Sequence, residues 1–587
     1  MECRGQLDAS RRCAAGHPLR HRFACLILFF CCALGRCAQS PHDAEVLLDQ
    51  LKQLSAGEQW QEVIRLTEIS SPAETSHRSA DLDYYYGMAL ARLGRWDEAA
   101  KAFRAGIRLK PNDKRFPLEL AGVAFKQKNY SCAVSNLRRA LELDPDDSYA
   151  SDFLASVYFL QNNLQAALKY WNRVGKPRIE NVQAEPTPRV DPVLLDRAFA
   201  FSPAGTLRSS DLLTTERRID AFGIFPTYRF SLAAREDGRF DVLFRSQERN
   251  GWGSSKLQGL LGLLRGLPYQ TIDPEFFNLG REAVNVESLI RWDAQKRRLR
   301  ASLSGPLHRN PKWRYGFETD LQNENWNVRN SFTGPAPVLL ALNLRREAVE
   351  AEVSSFPSGR WTWSTGAELS HRDFRGVSPE GVLLPALLSQ GFQLKQQSQL
   401  SYELWRIPEK QFTLRSGVSS QLGRIWSQPP HLFEKLEGSL AGHWFPGSRG
   451  EDYETYAQIR SGKTFGELPF DELFMLGVER DNGLWLRAHI GTRDGRKGSA
   501  PLGRNYLLGN WETDKIIHQN GFVTLKAGPF VDTGRITDPS FILGAKEWLC
   551  DTGIQVRVRV LGVAVGISYG KDLRSGNNAF YTTVGRK

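Results

Sequence analysis

From about residue 253 to residue 587 the chain is a succession of short segments in which apolar and polar residues alternate, and no long helical pattern interrupts them. Segments at 284–292, 299–304, 315–321, 348–353, 361–369, 394–404, 412–422, 436–444, 453–459, 523–530, 554–560, 563–569 and 580–584 each run to about ten residues or fewer. A two-residue period places neighbouring side chains on opposite faces of a strand, so such a region can only be all-β. Trp292, Trp313, Trp326, Trp361, Trp363, Trp405, Trp426 and Trp444 gather near segment ends. Aromatic residues at strand ends mark the two edges of the hydrocarbon layer in a membrane barrel. The expected architecture for 253–587 is therefore a transmembrane β-barrel of about sixteen strands. An exported soluble sandwich or propeller is the competing reading, weakened by the aromatic placement and by the lack of a blade repeat.

A chain of 587 residues is too long for one core, so further domains are expected upstream. Arg11, Arg12, Arg20, His21 and Arg22 precede the apolar run 23–30, and small residues follow at Ala33, Gly35 and Ala38. That order predicts a secretory signal peptide over 1–38; a short buried helix is the alternative. Arg36 sits where a lipoprotein cleavage site needs a small residue. Six of the eight cysteines fall in this leader, leaving Cys132 and Cys550 in different regions, which argues against a disulfide framework. The ten histidines are scattered without metal-ligand spacing, so neither a metal nor a cofactor is expected. The formal charge of +12 is spread along the chain. In an exported protein it suits anionic headgroups of outer-membrane lipid, or simple solubility, and not nucleic acid.

Residues 42–181 repeat. Three successive units, 80–113, 114–147 and 148–181, are each 34 residues long. Gly87, Leu90, Gly94, Ala99, Phe103 and Pro111 in the first correspond to Ala121, Ala124, Lys128, Ala133, Leu137 and Pro145 in the second. In the third the series runs Ala155, Tyr158, Asn162, Ala167 and Trp171. Small residues let paired helices approach and large ones fill the groove between units, so neighbours bury what one unit cannot bury alone. This pattern resembles the tetratricopeptide repeat, with a degenerate earlier unit at 43–76. The resemblance implies an all-α solenoid with a concave face suited to peptides; a mere spacer is the alternative.

The run 182–192, with Pro186, Pro188 and Pro192, is expected to be a linker. In 193–252 a short amphipathic helix over 212–222 ends at Gly223. Alternating runs at 228–232 and 240–244 flank Asp237-Gly238, a hairpin signal. Arg217-Arg218-Ile219-Asp220-Ala221-Phe222-Gly223-Ile224-Phe225 and the two strands resemble a POTRA domain, the small α+β periplasmic module in front of certain outer-membrane barrels. The resemblance puts a first strand within 194–201 and a shortened first helix at 205–210. It also implies a sheet edge able to take up a client strand; a rigid plug at the barrel base is the alternative.

Within 468–536, Arg487 lies in the apolar run Leu484-Trp485-Leu486-Arg487-Ala488-His489. Asn510-Trp511-Glu512 and Phe530-Val531-Asp532-Thr533-Gly534 follow, each holding one carboxylate. A charge inside an apolar strand is costly unless paired, so Arg487 is expected to reach Glu512 and Asp532; three ordinary surface charges are the alternative. The order of these marks, continued by Asp551-Thr552-Gly553 and Ser568-Tyr569-Gly570-Lys571-Asp572, resembles the outer membrane protein 85 superfamily, the bacterial surface-antigen barrels. That family carries an Arg-Gly-aromatic tip on an inward-folded loop that meets acidic residues of the wall. The resemblance makes Arg487 the loop arginine, Glu512 and Asp532 its partners, and Ala488 and His489 the tip. Ala488-His489 in place of Gly-aromatic departs from the family, as do the two cations that follow the terminal aromatics.

No nucleophile elbow or zinc-binding helix pattern occurs, so no enzyme is expected. The resemblance implies an outer-membrane assembly or translocation factor that inserts or exports client polypeptides. Periplasmic repeats and the small module would meet the client or a lipoprotein partner. A weak seam is expected between a first strand at about 281–292 and a last at about 578–586, with Gly570 and Gly585 as weak points. A passive porin for polysaccharide export, or an anchor that displays the repeats, are the alternatives.

Overall fold

The computed structural model describes residues 41–70, 79–249, 260, 266–329, 337–381, 383–427, 430–446, 452–519, 523–538, 543, 545, 547–560 and 563–586. The leader 1–38 lies outside them. The chain divides into two compact units, 1–162 and 163–587.

The first unit is helical: α1 (Pro41–Ala56), α2 (Trp60–Ser70), α3 (Ala80–Arg92), α4 (Trp96–Leu109), α5 (Arg115–Lys126), α6 (Tyr130–Leu143) and α7 (Ser148–Leu160). Side chains start several of them. Ser79, Asn129 and Asp147 accept from the backbone N–H groups of Leu82, Cys132 and Ala150, satisfying donors that a first helical turn leaves free. Gly87 is the seat of the α3–α4 contact: a Cβ there would stand 2.6 Å from the Phe103 ring. Leu51, Val63, Leu90, Phe103 and Phe116 form one buried core along the array.

The second unit begins with α8 (Leu164–Trp171), whose Lys169 and Tyr170 both bond Glu409 in a barrel turn, at 2.5 and 2.9 Å. Residues 179–185 correct the expected boundaries. They are strand β1 (Ile179–Glu185), so neither the last repeat to 181 nor a linker from 182 describes them. Ile179 is buried and the burial then alternates, as a half-covered strand requires. The expected strand within 194–201 is instead helix α9 (Pro192–Ala198), capped by Asp191 and started by Pro192, so the first helix is present and precedes 205–210. Helix α10 (Ser209–Phe222) ends at Gly223 with φ +69°, and the hairpin β2 (Thr227–Ala234) and β3 (Phe240–Gln247) turns at Gly238 with φ +76°. The sheet order is β1-β3-β2, with β1 parallel to β3 and β2 antiparallel to it. Phe199, Phe201, Phe225, Phe230 and Phe244 pack edge-on and stacked beneath it.

The rest is a closed barrel in which consecutive strands pair antiparallel. Its strands are β4 (Thr271–Ile272, resuming as Glu275–Leu279), β5 (Val284–Trp292), β6 (Lys296–Leu307), β7 (Asn310–Arg329), β8 (Val338–Ser355), β9 (Trp361–Ser378), β10 (Gly391–Ile407) and β11 (Phe412–Trp426). They continue with β12 (His431–Trp444), β13 (Tyr453–Gly466), β14 (Asn505–Gln519), β15 (Val523–Thr537), β16 (Leu549–Val560), β17 (Val563–Asp572) and β18 (Asn578–Arg586). Fifteen strands of the described residues thus form the wall if interrupted β4 is counted once. The first described strand starts at Thr271, upstream of the expected 281–292, because Thr271 and Ile272 already pair with Arg291 and Ile290 of β5.

The wall is inverted relative to a water-soluble protein. Trp405, Val418 and Ile554 are 66%, 58% and 61% exposed, whereas charged Asp320, Glu368, Arg372, Lys395, Asp532 and Asp551 are buried. Exposed aromatics form two belts. Trp361, Tyr402, Trp405 and Trp444 lie at the end facing the small domain; Phe392 and Trp426, register partners, lie at the other with Trp292. Apolar outside, charged inside and aromatic at both rims is the arrangement a bilayer selects. The small domain holds the barrel's near rim. Asn285 Nδ2 donates to Phe222 O at 2.8 Å, Gly359 N to Thr214 Oγ1 at 3.0 Å, and Arg281 Nε to Arg189 O at 2.8 Å.

Candidate functional site, a loop pinned inside the barrel

Residues 467–504 connect β13 to β14, yet those strands pair directly from Lys463–Asn505 to Tyr453–Lys515. The connection therefore leaves the ladder and returns to it. It touches inward residues of β5, β6, β7, β8, β9, β10 and β12 on one side and of β14 to β17 on the other, which is possible only from within the lumen.

Three charge clusters hold it. At its start, Asp471 lies 3.3 Å from Arg372 and 3.5 Å from Arg346, and Glu472 lies 3.1 Å from Lys395 and 3.2 Å from Lys435. In its middle, Asp481 meets Arg298, Arg291 and Lys497 at 2.7, 3.0 and 3.2 Å, and Lys296 meets Glu479 at 3.4 Å. At its tip, Arg487 Nε and Nη2 donate to Asp532 Oδ2 and Oδ1 at 2.8 and 2.7 Å. Arg487 Nη1 donates to Glu512 Oε2 at 2.8 Å and to Gln555 Oε1 at 2.9 Å. The structure thus brings together the three charges singled out in sequence. The forked geometry uses both oxygens of an aspartate that is 0% exposed. Asp532 also accepts from the Arg487 backbone N–H at 3.1 Å and from Asn510 Nδ2 at 2.7 Å. The guanidinium lies 3.8 Å from the centre of the Phe530 ring. Glu512 is shared with Arg557 of β16 at 2.5 Å, so one carboxylate ties the loop to the wall and the wall to itself.

The two tip residues also meet the wall. Ala488 N donates to Asp551 Oδ2 at 2.7 Å, and His489 Nδ1 lies 3.0 Å from the same oxygen. Apolar packing fills the space between the charges: Leu468, Phe470 and Leu473 against Trp326, Leu344, Phe374 and Phe433, and Leu476 and Leu486 against Leu508 and Ile536.

The loop also reaches the closure of the wall. Arg480 lies 4.0 Å from the Tyr269 ring centre and donates to Thr271 Oγ1 at 3.2 Å. Trp485 meets Tyr581 edge-on at 6.2 Å, and Tyr269 Oη donates to Thr582 O at 3.2 Å. Gly570 corrects the reading of a weak point: a Cβ there would stand 2.7 Å from Arg487 O, so this glycine is where the loop backbone lies against β17. Gly585, the other expected weak point, lies outside the residues whose surroundings the structure describes.

Sequence reasoning found one cluster of three. The signal for the others, Asp471-Glu472 and Glu479-Arg480-Asp481 set among Leu468, Phe470, Leu473, Phe474 and Leu476, is of the same kind as that for Arg487. Their partners are single cations on the polar face of alternating strands, where a charge is unremarkable until the fold turns that face inward.

A family model for the tetratricopeptide repeat matches residues 90–155. No curated protein matches the chain. Among solved structures, BamA from Haemophilus ducreyi lacking POTRA domains 1–3 is 11% identical, with 70% of this chain and 84% of that one covered at a TM-score of 0.42. CdiB from Escherichia coli is 13% identical, with 70% and 76% covered at 0.44. MamA is 19% identical, with 23% and 77% covered at 0.21. The chain joins tetratricopeptide repeats to a closed β-barrel.

Proposed function

We propose that the protein is an outer-membrane barrel of the assembly or translocation type, with its helical repeats and small α+β domain, a POTRA-like module, in the periplasm. Client polypeptides would be met by the repeats or by an edge of the small sheet, β1 or β2, through strand addition. The barrel would then insert the client or pass it across. No nucleotide or catalytic group is required, since burying apolar client surface and closing its backbone hydrogen bonds in the bilayer supply the driving force.

The observation that carries this reading is the wall's closure. Among the described residues, interrupted β4 contributes two, Thr271–Ile272, beside the last strand, and the inward loop braces both sides of that join through Arg480 and Trp485. A join so short is the place where a client strand could enter the ladder. Arg487, Glu512 and Asp532 are, in this reading, the lock that keeps the loop seated and the barrel competent.

A disulfide across the closure tests it. Cysteines placed in β4 and β18, in a chain whose Cys132 and Cys550 are replaced by Ser, should abolish client delivery when oxidised and restore it on reduction. Full delivery by a verified cross-linked barrel sinks the mechanism. The porin reading makes the opposite demand, a large steady conductance from the intact chain in planar bilayers. A lumen occupied by the loop favours small, erratic openings instead.

A further inference from the structure

The ladder places three carboxylates in one row. Asp532 of β15 is the register partner of Asp551 of β16, and Asp551 is the partner of Asp572 of β17. All three are buried. Like charges directly opposite each other on adjacent strands repel, and burial strengthens the repulsion. Arg487 answers Asp532 with a two-pronged contact. Nothing comparable answers the other two. Among the described residues no Lys or Arg side chain lies within ion-pair distance of Asp551 or Asp572, and His489 is the one basic group beside them.

From this arrangement we propose that His489, Asp551 and Asp572 form a binding site for a divalent transition-metal cation, zinc being the best match. One donor atom from each of the three lies within 4.8 Å of the others. His489 Nδ1 and Asp551 Oδ2 stand 3.0 Å apart. Two ligands bound at about 2.1 Å subtend an angle of about 90° at that separation, which is an ordinary value for a metal centre. Donors on opposite sides of such a cation stand about 4.2 Å apart, so a small rotation of one carboxylate completes the set. The second observation is that Asp551 Oδ1 is a buried polar atom with no hydrogen-bond partner among the described residues, beside the Oδ2 that Ala488 N and His489 Nδ1 occupy. Both side chains are 0% exposed. Buried polar groups normally find a partner, so this free carboxylate oxygen at the cluster points to a missing ligand.

The chemistry selects the class of cation. A neutral imidazole with two carboxylates is an N/O set suited to zinc and its neighbours, whereas calcium and magnesium prefer oxygen alone. The rest of the site orients the ligands. Asp572 accepts from Arg574 N at 3.0 Å and from Ser575 Oγ at 2.5 Å, and Asp551 accepts from Ala488 N at 2.7 Å. A cation here would add a coordination bond between the loop tip and two strands of the wall. It also gives His489, which stands where the resembled family has an aromatic, a chemical reason to be a histidine.

The test uses the full-length chain purified in detergent, stripped with EDTA and titrated with Co2+ and, separately, Zn2+. Folding of every sample is checked by heat-modifiable mobility. The expected result is one equivalent bound per chain by elemental analysis, with a Co2+ absorption spectrum showing nitrogen coordination that Zn2+ abolishes. His489→Phe and Asp572→Asn should lose that spectrum while Glu142→Gln, at an exposed carboxylate of α6, keeps it. Bound metal should also slow tryptic cleavage within 480–496, and EDTA should reverse this. No stoichiometric metal on the folded wild-type chain overturns the proposal, whatever the variants do. So does an unchanged Co2+ spectrum in His489→Phe, or equal competition by Ca2+, which would mean an oxygen-only site.

Discussion

Arg487 keeps its charge inside the wall because every polar atom of its guanidinium finds an acceptor on β14, β15 or β16. Removing one partner of such a buried pair strands the other, at a cost of roughly 3–5 kcal/mol. Arg487→Glu should therefore release the loop and abolish client delivery, and Asp532→Arg in the same chain should restore part of it. A single reversal with full delivery, measured beside a heat-modifiability control, would remove the lock from the mechanism. A second residue carries a pH signature outside the membrane. Burial pushes the Glu216 carboxyl of α10 up to about 7. A carboxyl raised in the folded state holds its proton while the unfolded chain has lost it, so stability falls as pH rises from about 4.5 to about 7. The small domain should lose about 3 kcal/mol across that window from this group, and Glu216→Gln should flatten the profile. Urea-dependent proteolysis within 179–247 of the full chain, at pH 5 and pH 8, measures it. At this scale Arg487 was legible because an arginine in an apolar run demands a partner. His489 with Asp551 and Asp572 was not, since their meeting depends on strand register, which no local pattern encodes.

Among elements, glycine placement fixes how the loop meets the wall. At Gly570 of β17 an added Cβ would meet Arg487 O at 2.7 Å, Arg487 C at 2.9 Å and Ala488 N at 3.1 Å. These are backbone atoms, which cannot swing aside as a side-chain end can. Gly570→Ala should therefore lift the tip, at a cost of about 1–3 kcal/mol, and speed tryptic cleavage at Arg480 and Arg487 without unfolding the barrel. Cleavage at the wild-type rate would show that the tip is seated by its charges alone. The small domain shows which elements announce themselves. The β2–β3 hairpin was readable because Asp237-Gly238 supplies a turn between alternating runs. β1 was not, because its alternation ends at Glu185 against Pro186 and Pro188, and prolines read as a linker. Its pairing partner β3 lies some sixty residues away, and that pairing defines it as a strand. The helix α9 was misread as a strand for a related reason. Its seven residues are too few to display a 3.6-residue period, and its cap, Asp191-Pro192, sat inside the expected linker.

For the whole molecule, the deciding relation is between the wall and what fills it. A ladder of this many strands left empty encloses an aqueous channel. Here Asp471, Glu472, Glu479, Asp481 and Arg487 fasten one loop to inward charges around the lumen, with apolar packing between them. The loop and the wall are separable by design of the topology. β13 and β14 are hydrogen-bonded to each other without it, and Lys463 already stands opposite Asn505. Replacing 467–504 by a short Asn-Gly turn should therefore leave a folded, heat-modifiable barrel. Planar-bilayer recordings should then change from small, erratic openings to a large, steady conductance. Client delivery should fall as well, because the brace that Arg480 and Trp485 give to the closure at Thr271 and Tyr581 goes with the loop. The two readouts separate two roles. A deletion that opens the pore yet leaves delivery intact makes the loop a plug alone. A folded deletion whose conductance does not rise means that the lumen is closed by something other than this loop.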